Sequence, residues 1–398
     1  MLSQRALKLK PSPTLALAAK AKELAAQGFD VISLSVGEPD WDTYEVVKKT
    51  AITAIEGGMT KYTPAAGIPE LRKAIAQQVK QDFGFDYSPN QVTVTAGAKF
   101  IVFAALQMVC DPGDEVIIPA PYWVSYPTMV ELADAVPVIV EAGTESGHKL
   151  TGAALRRAIT PKTKALILNS PSNPTGAMYT AEELGELAKV LREFPQIVVL
   201  SDDIYNRLVF NERGLAPHLL EVAGDLANRT IMINGASKSY SMTGWRVGWA
   251  LGPEPVIRAM SDYQSQSVSC AAGFSQKAAM TAIQEGDRLL VESRMMLKKR
   301  RDFAHQRLLA MPNIECEVPG GAFYIWPKIN AYYGKSWKGQ VIADSRDFTK
   351  YYLEGFNVAA VPGYEFGADD YMRISYALGQ ERMGQALDRL EQFLAEIR

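Results

Sequence analysis

The sequence predicts an α/β protein with a mostly parallel central sheet, helices on both of its faces, and a smaller second domain. Two observations carry this. Through the middle of the chain, short β-rich runs alternate with helical stretches, the pattern of strands joined by crossover helices. After about residue 285 the texture changes to a long charged helical stretch followed by Gly- and Tyr-rich sequence. The length, 398 residues, suits two domains of about 100–200 residues each.

The strand-like runs fall at VTVT (92–95), VIIP (116–119), VPVIV (136–140), ALIL (165–168), IVVL (197–200), TIMI (230–233) and VGWAL (247–251). A helical run from about Phe100 to Val109 follows the first. Another helix opens on a capping box, Thr180 with Glu183, in which each side chain caps the other's backbone N–H. Leu184, Leu187, Ala188 and Leu191 then share one face, and Pro195 marks the stop. The segment TLALAAKAKELAAQG reads as an amphipathic helix. At the other end, Met383, Leu387, Leu390, Leu394 and Ile397 make the stripe of a terminal helix. These signals place a large domain at 46–284 and a small, discontinuous α/β domain at 1–45 and 285–398, with an N-terminal arm.

Composition narrows the chemistry. Lys plus Arg is 42 and Asp plus Glu is 44, a net charge of −2 without the basic excess of a nucleic-acid binder. Cys110, Cys270 and Cys316 are widely spaced with no CxxC pair, so neither a disulfide framework nor a zinc site is expected, and a reducing cytoplasm is. His148, His218 and His305 also lie far apart, which leaves little material for a metal site. The basic N-terminus lacks the apolar core of a signal peptide. No apolar run approaches the ~20 residues that span a bilayer.

Four strand ends carry polar groups, and open α/β sheets bind ligands at such ends. After TIMI comes NGASKSYSMTGWRVGW, with Lys238 between Ser237 and Ser239 and Arg246 eight residues on. A lysine amine becomes a useful nucleophile when desolvated or set near another cation. The plainer reading is a surface lysine in a polar loop. After ALIL comes NSPSNPTG, whose X-Pro bonds stiffen the loop that presents Asn173; an ordinary Asn-Pro turn is the plainer reading. After IVVL comes SDDIY, where a carboxylate three residues before Tyr205 could ligate a metal, cap a helix or pair with a cationic ring. After VTVT, the small residues of TAGAK, including Gly97 and Ala98, let backbone N–H groups approach an anion at a helix N-terminus.

With these motifs in hand, the chain resembles the class I pyridoxal-phosphate aminotransferases, in particular their bacterial aspartate aminotransferase-like branch. SKSYSMTGWRVGW, NSPSNPTG, SDDIY, KYTPAAGIPELR and PYWVSYP stand in the family's order, and the likeness runs from KPSPTLALAAKAKEL to RISYA. The resemblance implies the fold of the type I pyridoxal-phosphate-dependent transferases, a cytoplasmic homodimer with shared active sites, and no metal, membrane or nucleic-acid partner. It implies a catalytic set of Lys238, Asp202 and Tyr205. Lys238 matches the lysine that bonds the cofactor covalently and then moves a proton at the substrate α-carbon. Asp202 matches the carboxylate that keeps the pyridine nitrogen protonated, with Asp203 as competing candidate. Tyr205 and Asn173 match hydrogen-bond partners of the ring hydroxyl. Trp123 matches the residue stacked on the ring. Arg246, Ser237, Gly97 and Ala98 match phosphate contacts. Gly235, where many relatives carry Ser, is a departure. Tyr62 matches a tyrosine that reaches the neighbouring subunit's phosphate.

For substrate, Arg373 in MRISYA matches the clamp on the α-carboxylate, and Gly37 in SVGEPD a backbone contact to it. Lys99 matches a lysine associated with the distal carboxylate of aspartate or glutamate, and like Trp123 and Asn173 it is expected to touch both cofactor and substrate. Together these imply a ping-pong transfer between L-aspartate and 2-oxoglutarate. An aromatic or prephenate aminotransferase of the same branch is the related alternative, and a β-lyase or decarboxylase on the same cofactor is a further one. A non-enzymatic regulator of this fold would carry an added DNA-binding domain, and here the fold consumes the chain.

Overall fold

Strand β1 (Ile32–Ser33) stands apart from a seven-stranded central sheet made of β2 (Val92–Thr95), β3 (Glu115–Ala120), β4 (Val136–Glu141), β5 (Thr163–Asn169), β6 (Val198–Asp202), β7 (Thr230–Gly235) and β8 (Gly248–Leu251). The computed structural model from which these elements are taken describes residues 1–3, 6, 7, 9 and 13–398. Part of the expected N-terminal arm, at 4, 5, 8 and 10–12, lies outside the described residues. The spatial order is β2-β8-β7-β6-β5-β3-β4. Every neighbouring pair is parallel except those of β8, which runs antiparallel to β2 and to β7.

The burial explains why these runs are strands. Strands β2 and β8 are buried at every position, as strands covered by helices on both faces are. On the edge, β4 has its exposed positions and carries Pro137, which costs no ladder bond there. One face packs Ile118, Leu200 and Ile231 against Ile101 and Leu106 of helix Ala98–Val109 and Met260 of helix Glu254–Ser267. The opposite face packs Leu166, Val199 and Met232 against Ile75 of helix Pro69–Phe83 and Leu187 of helix Ala181–Glu193. The latter helix has the capping box of Thr180 and Glu183 and ends at Phe194, just before Pro195.

The remaining strands are β9 (Tyr324–Ile325), β10 (Ser336–Trp337), β11 (Gln340–Val341), β12 (Val358–Ala359), β13 (Val361–Pro362) and β14 (Met372–Ser375). β1 pairs in parallel with β12, which ties the first part of the chain to its last part. The order β13-β14-β9 makes a small antiparallel sheet, and β10 and β11 form a hairpin. The terminal helix Gln380–Glu396 buries Met383, Leu387, Leu390 and Leu394; Ile397 lies just past it in extended backbone and is buried all the same. Helix Gly273–Leu309 is continuous over 37 residues and passes residue 285 without a break. Among the described residues no helix is long and apolar enough to cross a membrane.

Candidate functional site

Asp202 closes β6 and is 5% exposed. Its Oδ2 accepts the Tyr126 hydroxyl at 2.6 Å and its Oδ1 the backbone N–H of Ile204 at 3.3 Å. Burial lifts its carboxyl to about 6; the Tyr126 hydrogen bond opposes the rise and the charge of Asp203 adds to it. Asp203 points the other way, as alternation along an extended chain requires. Its Oδ1 accepts Ser201 Oγ at 2.9 Å, and its Oδ2 lies beside His218. Of the two adjacent carboxylates, only Asp202 therefore joins the face that carries Tyr126.

Lys238 follows β7 by three residues, in a turn whose Met242 N–H returns to the Ser237 carbonyl. Its Nζ donates to the Gly37 carbonyl. Burial lowers the amine to about 8; Glu38 opposes this, and Arg373 and Arg246 push it further down. That is the condition a nucleophilic lysine needs, desolvation with cations close by. Ser237 beside it is buried. The departure at Gly235 has a steric reason: a Cβ there would meet the Val247 carbonyl at 3.0 Å and Gly248 Cα at 3.1 Å, so a side chain would press on β8.

Gly97 caps helix Ala98–Val109 with φ of 93°, a left-handed conformation that favours glycine. A Cβ on Gly97 would come within 2.5 Å of Arg246 Nη2, so the guanidinium lies directly against this helix start. Gly248 is equally restricted, since its Cβ would meet Ala98 N at 2.4 Å. Arg246 Nη1 donates to the Thr243 carbonyl at 2.8 Å. Free N–H groups at a helix start together with a guanidinium form a cradle for an anion such as a phosphate. Lys99 is exposed as a residue, yet its ammonium sits 4.9 Å over the Trp123 ring, where desolvation and then Arg246 lower its proton affinity. The Trp123 ring meets Tyr126 edge-on at 5.3 Å.

Arg373, on β14, is 2% exposed. Its Nη1 donates to Asn173 Oδ1 at 3.0 Å and its Nη2 to the Ser35 carbonyl at 2.6 Å, while Nε is buried with no partner. The guanidinium lies 4.5 Å over the Tyr324 ring and 5.1 Å from that of Phe366, and burial lowers its proton affinity. Tyr324 exchanges a 2.9 Å hydrogen bond with Tyr205, hydroxyl to hydroxyl. Asn169 ties two strand ends together, with Nδ2 donating to the Asp202 carbonyl at 2.8 Å and Oδ1 accepting the Asn173 N–H at 2.9 Å.

The structure thus links Gly37 to Lys238, Gly97 to Arg246, Lys99 to Trp123, and Asn173 to Arg373, with Ala98 packed against Gly248. Tyr62 is outside these contacts and 90% exposed. Sequence reasoning gave no role to Tyr126, Tyr324, Asn169, Ser35 or Glu38. Tyr126 stands within PYWVSYP, three residues past Trp123, and Asn169 opens NSPSNPTG, so both were in quoted motifs. Ser35 and Glu38 lie in SVGEPD on either side of Gly37, whereas Tyr324 acts only through tertiary contact and leaves no local signal.

Residues 30–390 match the family described as aminotransferase class I and II. The chain is 47% identical over 397 residues to the aspartate/prephenate aminotransferase of Cereibacter sphaeroides, an alignment covering 100% of this chain and 99% of that one. It is 42% identical over 396 residues to the aspartate aminotransferase of a Bacillus species, covering 99% of each. Among solved structures, the aspartate aminotransferase from Rhizobium meliloti superposes with a TM-score of 0.96 at 40% identity over 100% of both chains. That of Thermus thermophilus with maleate gives 0.92 at 41% identity over 99% of both.

Proposed function

This chain belongs to the class I and II aminotransferase family, and from that premise we propose that it is a pyridoxal-phosphate enzyme that moves the amino group between L-aspartate and 2-oxoglutarate in a ping-pong cycle. The observation that carries the substrate side is Arg373, a buried cation whose Nε has no partner. A substrate carboxylate is the group that would satisfy it. Lys99 supplies a second cation for a distal carboxylate, and a dicarboxylate, maleate, accompanies the similar Thermus thermophilus structure.

The residues fit pyridoxal phosphate. The cradle of Gly97, Ala98, Ser237 and Arg246 suits its phosphate, the buried carboxylate of Asp202 its ring nitrogen, Trp123 its ring face, and Asn173 with Tyr205 its ring hydroxyl. When bound, the cofactor supplies an electron sink for the pair left on the substrate α-carbon. Everything else is work for the chain. Lys238 Nζ, lowered to about 8, is partly unprotonated near neutrality and so takes up and returns the α-proton. Tyr126 orients Asp202. Arg373 and Lys99 fix the two ends of the substrate and so set which bond at the α-carbon reacts.

We propose further that the enzyme is a cytoplasmic homodimer in which Tyr62, exposed on the single chain, completes the neighbour's phosphate site. The division into 46–284 and 1–45 with 285–398 is likewise a proposal, supported by the pairing of β1 with β12. A second reading, transamination of prephenate, is favoured by the relatives that carry both substrates in their names. Initial-rate assays with aspartate and 2-oxoglutarate test the main reading: parallel double-reciprocal lines support it, and no turnover of aspartate removes it in favour of the second.

A further inference from the structure

On the far side of the strand end from Tyr126 lies a buried acid–base pair that the chemistry above does not use. Asp203 is 5% exposed and His218 3%. His218 Nδ1 accepts the backbone N–H of Leu220 at 3.1 Å, so the ring proton is assigned to Nε2. That Nε2 lies 3.3 Å from Asp203 Oδ2, and neither atom makes an aligned hydrogen bond. Ser201 Oγ faces the other oxygen. Both carboxylate oxygens are thus faced by donors. Phe83 and Phe85 pack against the imidazole at 5.1 and 6.4 Å, shielding the contact from water.

We propose that His218 and Asp203 are positioning residues, a buried electrostatic brace in which His218 faces Asp203 behind β6 and the negative field of the consecutive carboxylates Asp203 and Asp202 keeps the proton on the cofactor's ring nitrogen. This rests on the pyridoxal-phosphate reading. Two carboxylates on consecutive residues repel, and each raises the other's affinity for a proton. The other groups around the pair are few. Tyr87 has a buried, unpartnered hydroxyl in the field of Asp203. Asp82 is paired directly with Arg207, and both line a cavity of about 30 Å³ that Asp203 also lines. Glu221 accepts the backbone N–H of His218 and pairs with Arg213. On the near side stand Tyr126 and Lys238.

The test uses holoenzyme loaded with nitrogen-15-labelled pyridoxal phosphate and follows the ring-nitrogen resonance as pH is raised. Asp203→Asn should lower the pH at which the ring nitrogen loses its proton by roughly 0.5–1 unit. His218→Phe should do the same, because it removes the donor that faces Asp203 Oδ2 and leaves that buried oxygen without a polar neighbour. His218→Gln restores a donor and should keep the wild-type midpoint. Should Asp203→Asn fail to fold, the difference between His218→Phe and His218→Gln decides the matter. Wild-type midpoints in both Asp203→Asn and His218→Phe overturn the brace. A wild-type protein that takes up no cofactor, seen as no visible absorbance band, overturns the cofactor reading and the brace with it.

Discussion

Arg373 and Asn173 lie 200 residues apart and are joined by a 3.0 Å hydrogen bond from Nη1 to Oδ1. The contact couples the small antiparallel sheet to the loop that follows β5, so the group proposed to clamp substrate and a group proposed to hold the cofactor are set by one another. It also occupies the Asn173 carbonyl, leaving the amide Nδ2 as donor. Arg373→Lys keeps the charge but loses the planar fork. We expect KM for both amino and oxo acid to rise on the order of 10²-fold, with cofactor affinity little changed. Steady-state kinetics and cofactor titration measure both; an equal loss in the two would mean that the arginine serves the fold instead.

Lys238 is expected to cost the cofactor-free protein stability. Its folded-state value of about 8 lies below the ordinary 10.5. Below pH 8 the amine is charged in both states and the whole burial penalty applies; above 10.5 it is neutral in both and the penalty is gone. Lys238→Met should therefore melt higher than wild type at neutral pH, by about 2–4 °C. That gap should close as pH rises between those values. The same variant should lose transamination by at least about 10³-fold.

Asp202 has the opposite sign. Its carboxyl is raised from 3.8 to about 6, so the penalty of a buried charge is complete above 6 and disappears below 3.8. Cofactor-free Asp202→Asn should exceed wild type in stability above pH 6 and match it under acid conditions. Tyr126→Phe removes the donor to Oδ2, so in that variant the penalty should begin to be relieved at higher pH than in wild type. Melting curves across pH check all three proteins.

The cradle is open to a steric test. Gly97→Ala forces a Cβ to within 2.5 Å of Arg246 Nη2 at a φ of 93°. Either the guanidinium or the turn must move, and we expect cofactor affinity to fall about 10-fold, worth about 1.4 kcal/mol. Equilibrium dialysis of pyridoxal phosphate reads this directly. Unchanged affinity would place the phosphate elsewhere.

Much of this was legible in the sequence because strand and strand-end motif are contiguous. Each run from VTVT to VGWAL became a strand, and the polar groups after β2, β5, β6 and β7 met at the carboxyl edge, as parallel strands require. Local signals could not separate Asp202 from Asp203, since the choice depends on which face holds Tyr126 and which holds His218. Nor could they show Tyr324 under Arg373, a contact between strands β9 and β14. Nor does a change of composition mark the end of an element: the helix Gly273–Leu309 runs unbroken through the change of texture near residue 285.

Lys99 is the residue we propose to set the substrate class. Its ammonium lies over Trp123 and has no carboxylate partner among the described residues. Held between desolvation and the nearby Arg246, it gains most from an anionic ligand, and a distal carboxylate supplies one. An apolar side chain at that end would gain nothing from the charge, and the ammonium would stay poorly paired. Lys99→Leu should therefore lower kcat/KM for aspartate by roughly 10²-fold, the range for a lost buried charge pair, and leave phenylalanine nearly unchanged or improved. The discriminating number is the ratio of the two kcat/KM values. If both substrates fall together, Lys99 serves the phosphate cradle, and recognition of the distal carboxylate passes to another cation.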